Sequence, residues 1–121
     1  MGMTAPHLLM GRKGERIACR YLMKQGFDIL ARRFKARRGE IDLIALEGEV
    51  LACIEVKTRA SRAFGDPWEF VDWEKQQSLR QALDEFVARH DLGHYTYRFD
   101  IVSVIAPGSK MQEINLYRNA F

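Results

Sequence analysis

The stretch Arg37–Arg59, RRGEIDLIALEGEVLACIEVKTR, decides the fold. Its apolar residues recur at every second position on either side of Gly48 and Glu49. In GEIDLIAL, Ile41, Leu43 and Ala45 share one face, and Glu40, Asp42 and Ile44 share the other. In VLACIEVK, Ala52, Ile54 and Val56 stand against Cys53, Glu55 and Lys57. Period two predicts two strands, and a turn at Gly48-Glu49 makes them an antiparallel hairpin. That register sets Asp42 opposite Glu55 and Glu40 opposite Lys57, with facing Cβ atoms roughly 4.5–5.5 Å apart. A slip of one residue would move Glu55 to the other face.

Like charges facing each other destabilise a sheet, so two opposed carboxylates call for a positive charge between them. A divalent cation supplies it, and Mg²⁺ takes one or two protein carboxylates, with waters and phosphate oxygens completing its shell. Asp42 and Glu55 are therefore the candidate ligands for Mg²⁺ or Mn²⁺. Lys57 lies on the same face as Glu55, where an ammonium can steady a phosphate or orient an attacking water. A plainer reading of the same spacing makes Glu40 and Lys57 a surface ion pair and leaves Asp42 and Glu55 solvated. Spacing alone leaves both standing.

Working outward, five cations (Arg32, Arg33, Lys35, Arg37 and Arg38) fall within seven positions just before the acidic strand, and Arg59 and Arg62 follow the other strand. The hairpin brings both groups to one end, where they can hold nucleic-acid phosphates; a solvated basic loop is the alternative. Upstream, GRKGERIACRYLMKQGF has helical spacing, predicting a helix from about Leu9 to Gln25 that Gly26 ends. Glu15 precedes Ala18, Cys19 and Leu22 by three, four and seven residues, beside the apolar stripe. Taken alone, a surface acid or an arginine's partner explains it as well. Downstream, Leu79, Ala82, Leu83, Phe86 and Val87 make a second helical stripe, whose start is marked twice, by Asp66-Pro67 with Glu69 and by Asp72. Lys75 lies at its leading end, placed either to snorkel or to serve a site. Arg98–Ala106 reads as a strand, PGSK as a turn, and EINLYRNAF as a short strand or tail.

This order of elements suits an α/β mixed sheet with helices packed against it. With 121 residues, 47% hydrophobic and 29% charged, the chain has the composition of one domain spanning 1–121. A net charge of +3 is too mild to argue for nucleic acid by itself. Cys19 and Cys53 lack metal-like spacing and read as buried thiols. No apolar run reaches the roughly 18 residues of a membrane span, and the first residues lack the core of a secretion signal, so the expectation is a cytoplasmic protein without membrane contact.

GRKGERIACRYLMKQGF, GEIDLIA, IEVKTR, FGDPWEFVDWEKQQSL and RFDIV, in this order from about Gly11 to Phe121, resemble the bacterial YraN (UPF0102) family. That family is similar to archaeal Holliday-junction resolvases of the PD-(D/E)XK nuclease superfamily. The resemblance implies a restriction-endonuclease-like mixed sheet flanked by helices. It matches Asp42, Glu55 and Lys57 to the acidic and Glu-X-Lys positions, Glu15 to an acid on the first helix, and Lys75 to a lysine on the helix after the core strands. Gly39-Glu40-Ile41-Asp42 stands where the older signature has Pro-Asp, which leaves the role of Glu40 open. The implied activity is Mg²⁺- or Mn²⁺-dependent hydrolysis of DNA phosphodiester bonds, including branched or Holliday-junction DNA. Two symmetric cuts at a junction imply a homodimer. Two other classes stay in play: a nucleic-acid-binding protein without turnover, and an assembly partner that docks through Trp68 and Trp73.

Overall fold

The computed structural model describes residues 6–121. Helix α1 spans Pro6–Lys24, beginning earlier than the apolar spacing predicts. Gly26, at φ +96°, turns the chain back, and Phe27 N–H donates to the Leu22 carbonyl at 3.0 Å. Strands β1 (Asp28–Ala36), β2 (Gly39–Glu47) and β3 (Val50–Arg59) follow as a meander. Two short 3₁₀ turns, Arg62–Phe64 and Pro67–Phe70, lead into α2 (Trp73–His90), which crosses over to β4 (Thr96–Ile105) and β5 (Glu113–Tyr117).

Both start signals before α2 are used. Glu69 reaches back to the Asp66 N–H at 3.1 Å in the second 3₁₀ turn, whereas the Asp72 carboxylate accepts from Lys75 N–H at 2.8 Å and caps the helix itself.

The sheet order is β1-β2-β3-β4-β5, with only β3 and β4 parallel. α2 makes that connection, since a parallel pair needs a crossover that a tight turn cannot supply. On one face, Leu79, Ala82, Leu83, Phe86 and Val87 of α2 pack on Ile44, Leu51, Cys53, Phe99 and Ile101. On the other, Ala18, Cys19 and Leu22 of α1 pack on Leu43, Ala45, Ala52, Ile54, Val102 and Val104. The central strands are thus covered on both sides and read as near-continuous apolar runs. This is a restriction-endonuclease-like mixed sheet flanked by helices.

The alternation read from β2 needs one correction. Ile41 packs on the α2 side with Ile44, while Leu43 and Ala45 face α1. A regular strand cannot place residues 41 and 44 on one face, so β2 kinks between them. β1 kinks opposite it: Ala31 and Phe34 both face α2, and Arg33 between them takes φ +49°. Because both strands turn at the same level, the register survives, with Arg32 facing Leu43 above the kink and Phe34 facing Ile41 below it.

The kink also opens the hairpin. β2 and β3 pair in the expected register from Glu47↔Val50 to Leu43↔Ile54, and the ladder stops there. Asp42 and Glu55, the next positions, flank an opening. The expected Glu40–Lys57 pair does not form, and Glu40 instead lies opposite Lys35 in β1. At the other end of the sheet, fully buried Asp100 is held by Arg98 at 2.8 Å and by the Asn119 N–H at 2.9 Å. Arg98 and Arg118 both bind Glu47, at 2.7 and 2.6 Å, tying the segment after β5 to the hairpin turn. No described helix is long and apolar enough to cross a membrane.

Candidate functional site

Where β2 and β3 part, the α2 side opens into a cleft of about 910 Å³ lined by Glu15, Asp42, Glu55 and Lys75, with Arg33, Lys35 and Arg38 also on its wall. An adjoining recess of about 300 Å³ shares Glu15, Asp42, Glu55 and Lys75 and adds Lys57 and Phe70. Residues far apart in sequence thus meet: Glu15 from α1, Asp42 from β2, Glu55 and Lys57 from β3, and Lys75 from the first turn of α2.

The unpaired backbone at the opening is partly satisfied by the site itself. Asp42 Oδ2 accepts the Val56 N–H at 2.8 Å, taking the place of a ladder carbonyl. Burial, and then the negative charge of Glu55, push the Asp42 carboxyl up to about 7, although the Val56 bond works against this. Glu55 is only 9% exposed. Burial raises its pKa too, against the pull of Lys75, whose Nζ sits 2.7 Å from Oε1. The other oxygen, Oε2, is buried with no hydrogen-bond partner. A half-paired buried carboxylate is costly, and a native site carries one only for a reason.

The two lysines differ. Burial works to lower the Lys75 pKa, but the bond to Glu55 and the charges of Glu55, Asp42 and Asp72 together outweigh it and raise the pKa. Lys57 lies 4.0 Å from the centre of the Phe70 ring, and burial, then the positive charges of Lys75 and Arg59, lower its pKa. Glu15 points into the cleft with Arg33 Nε bound to it at 2.8 Å.

Among the described residues, no three His, Cys, Asp or Glu side chains converge to enclose an ion. The donor set is two carboxylates, the number Mg²⁺ ordinarily draws from protein. Asp42 Oδ2 is committed to the backbone, leaving Oδ1, and Glu55 Oε2 is unpartnered. Both features fit a hard cation, and the Lys75 ammonium already holds a positive charge at Glu55.

The basic residues scatter more than the hairpin predicts. Arg33, Lys35 and Arg38 line the cleft, and Arg32 lines an adjoining pocket toward α1 whose wall includes Arg33 as well. Arg37 and Arg38 border a shallow groove beside Gln81 and Glu85, where the Arg37 N–H donates to Glu85 at 3.3 Å. Arg59 is a correction: it is 6% exposed, and its guanidinium binds the Gly65 carbonyl and Ser103 Oγ, bracing the loop after β3. A buried arginine committed to its own chain offers nothing to an external phosphate. Arg62 likewise pairs with Glu113. Trp68 packs edge-on against Tyr117 at 5.4 Å, while Trp73 stands 71% exposed at the start of α2.

Sequence reasoning passed over Gly14 and Phe70. A Cβ on Gly14 would come within 1.9 Å of Thr58 Oγ1, so only glycine lets α1 approach β3 closely enough to deliver Glu15. Its signal was present, since a glycine inside a helix costs about 1 kcal/mol and implies a packing reason. Phe70 had no signal before the 3₁₀ turn was seen.

Fold and cleft together define an α/β protein of the restriction-endonuclease-like class, with two carboxylates and two lysines gathered where its central hairpin opens. A family model described as "Uncharacterised protein family UPF0102" matches residues 14–104. A UPF0102 protein of Alkaliphilus metalliredigens is 41% identical over 112 residues, covering 93% of this chain and 96% of its own. Another, from Solibacter usitatus, is 47% identical over 113 residues, covering 92% and 84%, and one from Chlorobaculum tepidum is 43% identical over 115 residues, covering 95% and 88%. The chain belongs to the UPF0102 family.

Proposed function

We propose that this protein is a metal-dependent endonuclease that hydrolyses DNA phosphodiester bonds, with branched DNA its preferred class of substrate. The observation that carries the reading is the opened hairpin. The ladder ends at Leu43–Ile54, and the two carboxylates beyond it turn into one cleft, each carrying a burial penalty that a cation would offset. The basic wall of Arg33, Lys35 and Arg38 supplies the electrostatics a polyanion needs.

In this reading Asp42, through Oδ1, and Glu55 hold Mg²⁺ or Mn²⁺. When bound, the ion polarises the scissile phosphate and lowers the pKa of a bound water. The chain's own groups do the rest. Lys57, held over Phe70, donates to a non-bridging phosphate oxygen and steadies the charge that grows as the water oxygen, its proton passing to solvent, bonds to phosphorus and the P–O bond to the leaving sugar breaks, the departing oxygen taking a proton from solvent. Lys75, 2.7 Å from Glu55, favours that carboxylate's ionised form, the form that would hold the ion. Glu15 keeps Arg33 at the rim.

The test is incubation of the pure protein with linear, nicked, flapped and four-way DNA, with Mn²⁺, with Mg²⁺ and with chelator. Cleavage is expected only with metal, and Glu55→Gln and Lys57→Ala should each abolish it. Binding without cleavage under every condition would replace this reading with a non-catalytic nucleic-acid-binding protein. Symmetric cleavage of a four-way junction also requires two active sites, so sedimentation with junction DNA should show two copies per junction.

A further inference from the structure

We infer that a second pocket, on the α1 side of the sheet, is a phosphate-binding subsite for the nucleic-acid strand whose hydrolysis is proposed above; the inference rests on that reading for the identity of its ligand. The pocket holds about 220 Å³ and is framed by Arg12 and Arg16 of α1 and Arg32 and Arg33 of β1, with Glu15 and Asp42 at its floor.

Four guanidiniums do not converge without cost. Arg12 and Arg16 stand four residues apart on one helix, a like-charge spacing that destabilises it. Arg32 and Arg33 are consecutive and would point to opposite faces of a regular strand; the left-handed turn at Arg33, φ +49°, brings both to this pocket. Only one of the four charges is answered: Glu15 binds Arg33 at 2.8 Å. Among the described residues, Arg12, Arg16 and Arg32 have no ion-pair partner, and all three are exposed.

A cluster of forked, permanently charged donors matches the oxygens of a phosphate group and recognises no base. Position supplies the rest. This pocket and the hydrolytic cleft share Arg12, Glu15, Arg33 and Asp42 as a common wall, and Arg16 and Arg32 belong to this pocket alone of the two. A strand with one phosphodiester at Asp42 and Glu55 therefore passes the arginines with a neighbouring phosphate. The subsite fixes where along the strand the cut falls, a role separate from bond breaking.

Two measurements on the protein test it, each comparing wild type with Arg16→Ala/Arg32→Ala, the two arginines that line this pocket and not the cleft, and with Arg20→Ala, an exposed arginine of α1 outside the pocket. The first is thermal unfolding with millimolar inorganic pyrophosphate against chloride at equal ionic strength. The second is fluorescence anisotropy of a labelled DNA duplex in chelator across a salt series. The double variant should lose the pyrophosphate-induced rise in midpoint. It should bind DNA about tenfold more weakly, with a salt slope smaller by about one, the mark of one lost phosphate contact. Arg20→Ala should match wild type in both. An unchanged pyrophosphate shift and an unchanged salt slope in the double variant would overturn the subsite, even if Arg33, Lys35 and Arg38 proved to bind DNA. A pyrophosphate shift lost in the double variant, with no DNA binding by wild type, would keep the anion pocket and overturn the nucleic-acid reading instead.

Discussion

Removing the charge of Asp42 should make the metal-free protein more stable, by an amount that depends on pH in a defined way. Burial and the neighbouring Glu55 raise the Asp42 carboxyl from 3.8 to about 7. Each pH unit of such a rise is worth roughly 1.4 kcal/mol, so the ionised carboxylate costs the folded state on the order of 4 kcal/mol as an upper bound, and about 2–4 after local screening. The sign follows from proton linkage. Between pH 4 and 7 the folded state keeps a proton that the unfolded chain has lost, so wild-type stability falls as pH rises through this window and levels off above 7. Asp42→Asn has no such proton. Its amide oxygen can still accept the Val56 N–H, so the backbone at the opening stays satisfied.

The difference in unfolding free energy, variant minus wild type, should therefore be near zero at pH 4, grow through pH 5 and 6, and plateau above 7. For a domain of this size the plateau amounts to roughly 6–16 °C in midpoint. Urea unfolding in chelator at five or six pH values measures it directly. Millimolar Mg²⁺ should close the gap by stabilising wild type alone. A difference that stays flat with pH, or a variant stabilised by Mg²⁺ as much as wild type, would refute the idea that the hairpin is opened around a shared charge.

Other outcomes follow from the same geometry. Gly14→Ala, which would normally strengthen a helix, should destabilise by about 1–3 kcal/mol because its Cβ meets Thr58, and Thr58→Ala should recover much of the loss in a double-mutant cycle. Lys75→Met strips Glu55 of the one ion-pair partner it has among the described residues, so it should lower the chelator midpoint and enlarge the rise that Mg²⁺ produces, both read by calorimetry. Glu47, lowered from 4.5 to about 2 by its bonds to Arg118 and Arg98, contributes stability that is complete above pH 4.5 and lost as pH falls through 2. Glu47→Gln should cost about 1–2 kcal/mol at pH 7, and the cost should vanish by pH 2 in urea titrations.

The sequence made the hairpin legible because period-two alternation and a turn glycine are local signals. The pairing Leu43↔Ile54 lies in the register they dictate, whereas Asp42 and Glu55 fall beyond the last paired residues and share the cleft without pairing. α2 and β4 were legible from local periodicity too, the helical stripe from Leu79 to Val87 and the apolar run of Arg98–Ala106. What stayed hidden depends on backbone departures with no pattern of their own. The kink at Arg33 and Asp42 sent Ile41 to the unexpected face and ended the ladder at Leu43–Ile54, short of the expected Asp42–Glu55 and Glu40–Lys57 pairs. Arg59 looked like a phosphate ligand because charge reads as surface in a sequence. Only the loop that folds back to Gly65 shows that it is an internal brace. Glu15 and Lys75, ambiguous by spacing, are drawn in by contacts across long sequence separations, the close pass at Gly14 and the ion pair to Glu55.

The matched kinks at Arg33 and Asp42 also bear on how this family can drift. At this level each strand turns once and the two turns cancel, so removing one alone would throw β1 and β2 out of phase by a face, apart from the register shift that β1 already carries between Ile29 and Ala31. Position 33 is thus inherited as a backbone conformation before it is inherited as a charge. Relatives should there accept glycine or asparagine, which take a positive φ at little cost, and reject valine and isoleucine, which do not. The opening beside Asp42 is thus held by the backbone of the paired strands, independently of which side chains line it.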